Sequence, residues 1–200
     1  MYSSSKKGFR LSFNAPVTLT FVALCVVVRL VGVLTKHQSD YLVFSVGRSS
    51  FLEPLTYVRL FTHILGHADW GHLLNNMMYV LLLGPMIEEK YGARSTVLVI
   101  LATAVVTGLI HMLVSPRTLL LGASGVVFAF ILISSITVRE DRTIPVTFIL
   151  VALLYLGQQI WQGLTSQDDV SQLTHVAGGA VGSVFGFLLK AVKKKDASRW

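Results

Sequence analysis

Ser124 lies in Gly122-Ala123-Ser124-Gly125 at the head of an apolar run, and His175 lies inside another, Leu173 to Val192. A hydroxyl becomes a competent nucleophile when an imidazole within reach takes its proton. Polar side chains are costly in segments apolar enough to enter a bilayer, so a serine and a histidine there point to a functional site. Gly122 and Gly125 leave the backbone around the serine unobstructed. Two other readings of the same residues stand beside this one. Glycine and serine also pack membrane helices together, and a buried histidine can simply be satisfied by a backbone carbonyl.

The elements that carry these residues add weight to the chemistry. From Ser124 to Val138 a helix would run about 22 Å, against a hydrocarbon core about 30 Å thick. With Arg139, Glu140, Asp141 and Arg142 holding its far end at the cytoplasmic surface, Ser124 falls at a recessed helix N-terminus. Unpaired N–H groups and the positive end of the dipole favour an oxyanion there. In the last run His175, Gly178, Gly182 and Gly186 recur at helical spacing, so the histidine rides on a smooth face that another backbone can approach closely. Within Gly71-His72-Leu73-Leu74-Asn75-Asn76-Met77, His72 and Asn76 share a helix face and could both donate to a tetrahedral oxyanion. Asn75 points elsewhere, toward packing or capping. His63 and His67 have a metal-like spacing, but no carboxylate or thiolate completes a ligand set on that face, so no metal is expected.

Composition sets these elements in a membrane. Apolar residues make up 53% of the chain, charged residues 14%, and the mean hydropathy is +0.66, beyond what a soluble domain of this size shows. Six runs are long enough to span: Pro16–Thr35, Leu73–Ile87, Ser95–Val114, Ala123–Val138, Ile144–Ile160 and Leu173–Val192. Lys6, Lys7, Arg10, Lys90, Arg94, Arg139, Arg142, Lys190, Lys193, Lys194, Lys195 and Arg199 fall on one side of that pattern. Lys36, Arg48, Arg59 and Arg117 fall on the other. The bias predicts two cytoplasmic termini and an even number of spans, and it accounts for the net charge of +7. Nucleic acid is not an expected partner, because the basic residues sit at span ends rather than on one face with aromatics. The first run lacks a small-residue cleavage site and reads as a retained anchor. Within it Arg29 is given a structural role, and Cys25, the single cysteine, a place in the core. The connection from His37 to Gly71 is long enough to have its own structure.

Together Phe61-Thr62-His63-Ile64-Leu65-Gly66-His67, His72-Leu73-Leu74-Asn75-Asn76, Glu88 before Tyr91-Gly92, Gly122-Ala123-Ser124-Gly125 and His175-Val176-Ala177-Gly178 resemble the rhomboid intramembrane serine proteases of the six-span bacterial type. The resemblance covers nearly the whole chain from Arg59 onward. It implies an all-α bundle of six transmembrane helices with a long structured loop between the first two, and a Ser124–His175 dyad. It also implies an oxyanion hole from the Ser124 backbone N–H with His72 and Asn76, and substrates that are transmembrane segments of other proteins. The site-supporting positions are Gly122, Gly125, Phe128, His67 and Gly178, with His67 expected to line a polar cavity beside His72 and Asn76. Two positions depart from the family pattern: Val58-Arg59 stands for Trp-Arg, and Phe128 stands for a tyrosine one turn after the serine. The resemblance loosely implies a brace between Arg59 and Glu88.

The expected organisation is a cytoplasmic tail (1–15), a membrane domain (16–192) and a basic cytoplasmic tail (193–200), in the inner cell membrane. No cofactor is called for, and the oligomeric state is open. The rival reading is an inactive rhomboid-like protein that binds membrane clients; a small channel is the weaker rival, since it has no use for a short helix headed by Gly-Ala-Ser-Gly.

Overall fold

A computed structural model of the chain describes residues 13–115, 117–136, 146–165 and 169–189. The described residues form eight helices: α1 (Pro16–Leu34), α2 (Gln38–Leu42), α3 (Pro54–Thr62), α4 (Trp70–Tyr91), α5 (Ala93–Val114), α6 (Ser124–Ile136), α7 (Val146–Thr165) and α8 (Asp169–Leu188). Each of the six apolar runs yields one helix. α4 begins at Trp70 rather than Leu73, and α8 at Asp169 rather than Leu173. Most of the basic residues behind the orientation argument, and most of both expected tails, lie outside the described residues. Among the described residues two helices, α1 and α5, are long and apolar enough to cross a membrane on their own, and the described apolar stretches of α6 and α8 are shorter.

α6 is the centre. It packs against α4, α5, α7 and α8, and Val126, Ala129, Phe130 and Ile133 are fully buried, as expected for a helix that is apolar all round. The outer helices turn Leu24, Val27, Leu82, Met86, Leu98, Leu153, Leu154 and Phe187 outward. So broad an exposed apolar belt is what a lipid-facing surface looks like.

α1 starts with Pro16 in its first turn, and Ala15 at its N-cap offers no side-chain acceptor. The unpaired N–H groups are met from another helix. The Glu88 carboxylate on α4 accepts from the backbone N–H of Val17 and of Thr18, and from the Thr18 hydroxyl, each at 2.9 Å. A buried anion at a helix N-terminus is doubly favoured, by hydrogen bonds and by the dipole. Gly84 lets Thr18 come this close, since a Cβ there would lie 2.6 Å from the Thr18 methyl. This corrects the brace expected between Arg59 and Glu88. Arg59 donates instead to the Leu42 carbonyl at 2.8 Å, within the connection between α1 and α4.

That connection is tied down along its length. Val46 forms an antiparallel bridge with Leu120, through hydrogen bonds of 2.9 and 2.8 Å, and Gly66 abuts the backbone of Phe44. The Thr62 hydroxyl donates to the Val43 carbonyl. The stretch leading into Ser124 is therefore held by the loop as well as by the helices.

α8 meets α6 backbone to backbone. A Cβ on Gly178 would sit 2.8 Å from Gly125 Cα, and one on Gly182 would sit 2.5 Å from Ala129 Cα. A Cβ on Gly186 would meet the end of the Ile136 side chain at 2.7 Å, which can rotate away, and Gly157 on α7 has nothing within 4 Å. Gly178→Ala and Gly182→Ala should therefore lower stability by about 1–3 kcal/mol through overpacking, Gly186→Ala by less, and Gly157→Ala not at all, because alanine suits a helix better than glycine. Thermal unfolding of the four variants in detergent checks this ranking; equal melting temperatures would contradict the close α6–α8 contact.

Candidate active site

The close approach of α8 to α6 sets His175 Nε2 2.9 Å from Ser124 Oγ, hydrogen-bonding distance for a base and its nucleophile. Both side chains are partly exposed while Gly122, Ala123 and Gly125 around them are buried, so the pair is reachable from outside a packed frame. One turn further along α6, Phe128 lies with its ring centroid 4.8 Å from that of His175, tilted by 49°. The aromatic face expected there is present without a hydroxyl. Gly178, one turn after His175, is the point where α8 touches Gly125.

The turn before Ser124 is built for closeness. Gly122 has φ +131°, a conformation that side chains disfavour, and its N–H donates to the His63 carbonyl at 2.9 Å. A Cβ at Gly122 would lie 2.7 Å from His72 Cε1. The glycine thus allows the His72 imidazole to rest against the backbone leading to the serine. Asn76, buried one turn later on α4, donates through Nδ2 to the His72 carbonyl at 3.0 Å. An amide nitrogen carries two hydrogens, so this bond leaves Asn76 a second one to offer. Asn75 is exposed on another face. The start of α4 is fixed by Asp69, whose carboxylate accepts the His72 backbone N–H at 2.7 Å.

His67 differs from its expected role. It is fully buried, and it backs the serine turn rather than lining an open cavity. Its Nε2 accepts the Ala123 N–H across 3.5 Å, and its Nδ1–H donates to the Leu65 carbonyl at 3.1 Å. The ring stands edge-on to His72, with centroids 5.1 Å apart. His63 was given no role of its own, yet it ties the turn to α5: its carbonyl receives Gly122, and its Nε2–H donates to the Ala104 carbonyl of α5 at 3.0 Å. Nothing in a linear pattern distinguishes a histidine used through its backbone. The Val46–Leu120 bridge was likewise invisible, because a single pair of residues has no periodicity.

Burial pushes both imidazoles down to about 4, with His111 adding charge repulsion at His63 and His72 at His67. Both are therefore neutral at pH 7, as His67 must be for Nε2 to accept from Ala123. A folded pKa below the unfolded value of about 6.5 means the unfolded chain binds protons first. The contribution of these rings is complete above pH 6.5 and is lost as pH falls toward 4. Melting temperature in detergent should drop across that window, and His63→Gln should flatten the drop; a slope unchanged by His63→Gln would contradict this.

Residues 54–192 match the Rhomboid domain family. The chain is 24% identical to the rhomboid protease GlpG of Haemophilus influenzae over 192 residues, covering 93% of this chain and 97% of that protein. It is 28% identical to the chloroplastic Rhomboid-like protein 11 of Arabidopsis thaliana over 137 residues, 62% of this chain. It spans about half the length of that plant relative, 49%. The family match runs from α3 through α8 and takes in every residue of the site just described, and on that evidence the chain belongs to the membrane-embedded rhomboid family.

Proposed function

We propose that this protein is an intramembrane serine endopeptidase that cleaves transmembrane segments of other membrane proteins through a Ser124–His175 dyad. The observation that carries the reading is the 2.9 Å approach of His175 Nε2 to Ser124 Oγ at the head of α6, which is described from Ser124 to Ile136. From Ser124 to Val138, where the apolar run of the sequence ends, a helix would reach about 22 Å, short of a hydrocarbon core of about 30 Å. The nucleophile therefore sits below the membrane surface, level with the upper part of a substrate helix.

Each step uses a group at hand. His175 Nε2 takes the Ser124 proton as Oγ attacks the substrate carbonyl, and the developing oxyanion is met by the Ser124 backbone N–H with His72 and the second hydrogen of Asn76. His175 then returns its proton to the leaving amine, and the acyl-enzyme forms. Water, deprotonated by the same imidazole, attacks the ester and restores Ser124. No cofactor takes part. The bundle has six spans, α1, α4, α5, α6, α7 and α8, within a membrane domain of residues 16–192, with both termini on the cytoplasmic side of the inner membrane. The exposed apolar side chains on these helices support that setting.

Ser124→Ala and His175→Ala should each abolish cleavage of a transmembrane substrate in liposomes while leaving the melting temperature within a few degrees. The carboxylates nearest His175 in sequence are Asp168 and Asp169, whose side chains lie outside the described residues. The Asp168→Asn/Asp169→Asn double variant should keep most activity; a fall of about 10⁴ in kcat, as for loss of a true triad acid, would overturn the dyad. Wild-type protein that cleaves nothing while binding membrane clients would favour the inactive rhomboid-like reading.

Asn76→Ala should lower kcat by about tenfold to a thousandfold, the loss seen when one oxyanion donor is removed. Initial rates at saturating substrate measure it, and an unchanged kcat would remove Asn76 from the mechanism.

A further inference from the structure

Arg29 is a charge in the middle of an otherwise apolar helix and is 5% exposed. Its guanidinium faces away from lipid, toward the loop that backs the serine turn. Nη1 donates to the His67 backbone carbonyl at 3.2 Å and lies 3.9 Å from Asp40 Oδ2 on α2. The guanidinium carbon stands 5.6 Å above the Trp70 ring at the start of α4. His37 Nδ1 is 2.8 Å from Asp40 Oδ2 and 3.4 Å from Arg29 Nη1. One ring nitrogen serves one of these partners, and the shorter contact assigns its proton to the carboxylate. Asp40 is itself 4% exposed. Its carboxylate rests against Gly32 of α1, where a Cβ would fall 2.6 Å from Oδ1.

These contacts form one line: Asp40 holds Arg29, Arg29 holds the His67 backbone, and the His67 ring holds the N–H of Ala123, the residue before the nucleophile. Trp70 extends the same support to the first turn of the helix that carries His72 and Asn76. We propose that Arg29 is a positioning residue for the serine site, clamped by Asp40 and fixing the His67 segment against the turn that presents Ser124. The inference rests on the protease reading of that site. A cation suits the task because a hydrogen bond from a charged donor is stronger than a neutral one, and the surrounding low dielectric strengthens it further. The carboxylate is needed because a buried charge without a partner is strongly unfavourable.

Removing Arg29 alone would leave Asp40 as an uncompensated buried charge and could unfold the chain, so the decisive variant is the neutral pair Arg29→Gln/Asp40→Asn. Two measurements apply to it, hydrogen exchange across the chain and the kinetics of substrate cleavage. The pair should fold, with exchange in residues 63–70 faster by about tenfold and α5, α6 and α8 unchanged. Its kcat should fall about tenfold to a hundredfold with KM within about twofold of wild type, the pattern of a misplaced transition-state contact. Arg29→Lys, which keeps the cation, should recover most of both. Wild-type exchange and kcat in the neutral pair would overturn the proposal, as would faster exchange spread evenly over every helix. If wild-type protein cleaves no substrate, the protease reading fails, while the exchange profile still decides whether Arg29 clamps the loop.

Discussion

His175 reaches Ser124 because two helices touch where α8 presents only glycine to the backbone of α6. Gly178 lies on Gly125 and Gly182 on Ala129, and at that separation the imidazole falls within 2.9 Å of the hydroxyl. Any side chain at those two glycines drives α8 outward and opens the pair, since backbone atoms cannot rotate aside. The remaining helices enclose this contact. α4 and α5 pack on the other faces of α6, and Gly125 itself nests against Thr107 of α5, where a Cβ would lie 3.0 Å from the Thr107 methyl.

Around that contact the apolar bundle buries an unusual amount of polar chemistry, and most of it answers backbone needs. Glu88 supplies the acceptors that the start of α1 lacks. His63 satisfies Gly122 through its carbonyl and Ala104 through its ring. His67 satisfies Ala123, and Arg29 satisfies the carbonyl of His67. Where lipid surrounds a helix no water can do this work, so side chains from neighbouring helices must. The serine turn owes its shape to these partners, and its left-handed glycine is held by a hydrogen bond rather than by packing alone.

Much of this could be read in the sequence, because hydropathy and spacing are one-dimensional signals. The apolar runs announced six of the eight described helices, the recurrence of Gly178, Gly182 and Gly186 announced the smooth face of α8, and the spacing of His72 and Asn76 announced a shared face on α4. Contacts set by tertiary geometry were not legible. Glu88 was assigned loosely to Arg59, since a sequence does not say which helix end a buried carboxylate will meet. Arg29 could be called structural from its place in an apolar run, but its target, a carbonyl in the loop after α3, has no signature. His67 was expected to line a polar cavity beside His72 and Asn76, and a sequence does not say which way a ring near the turn will point; here it lies behind the turn, neutral and fully buried.

The central claim is that Ser124 is a nucleophile activated by His175 within the bilayer. The most direct measurement is peptide mapping by mass spectrometry after wild-type and His175→Ala proteins, reconstituted in liposomes, are treated with a serine-directed fluorophosphonate. The account predicts one adduct, on the peptide containing Ser124, formed by the wild type and absent from His175→Ala. No adduct on the wild type, or labelling of Ser124 that persists without His175, would contradict it.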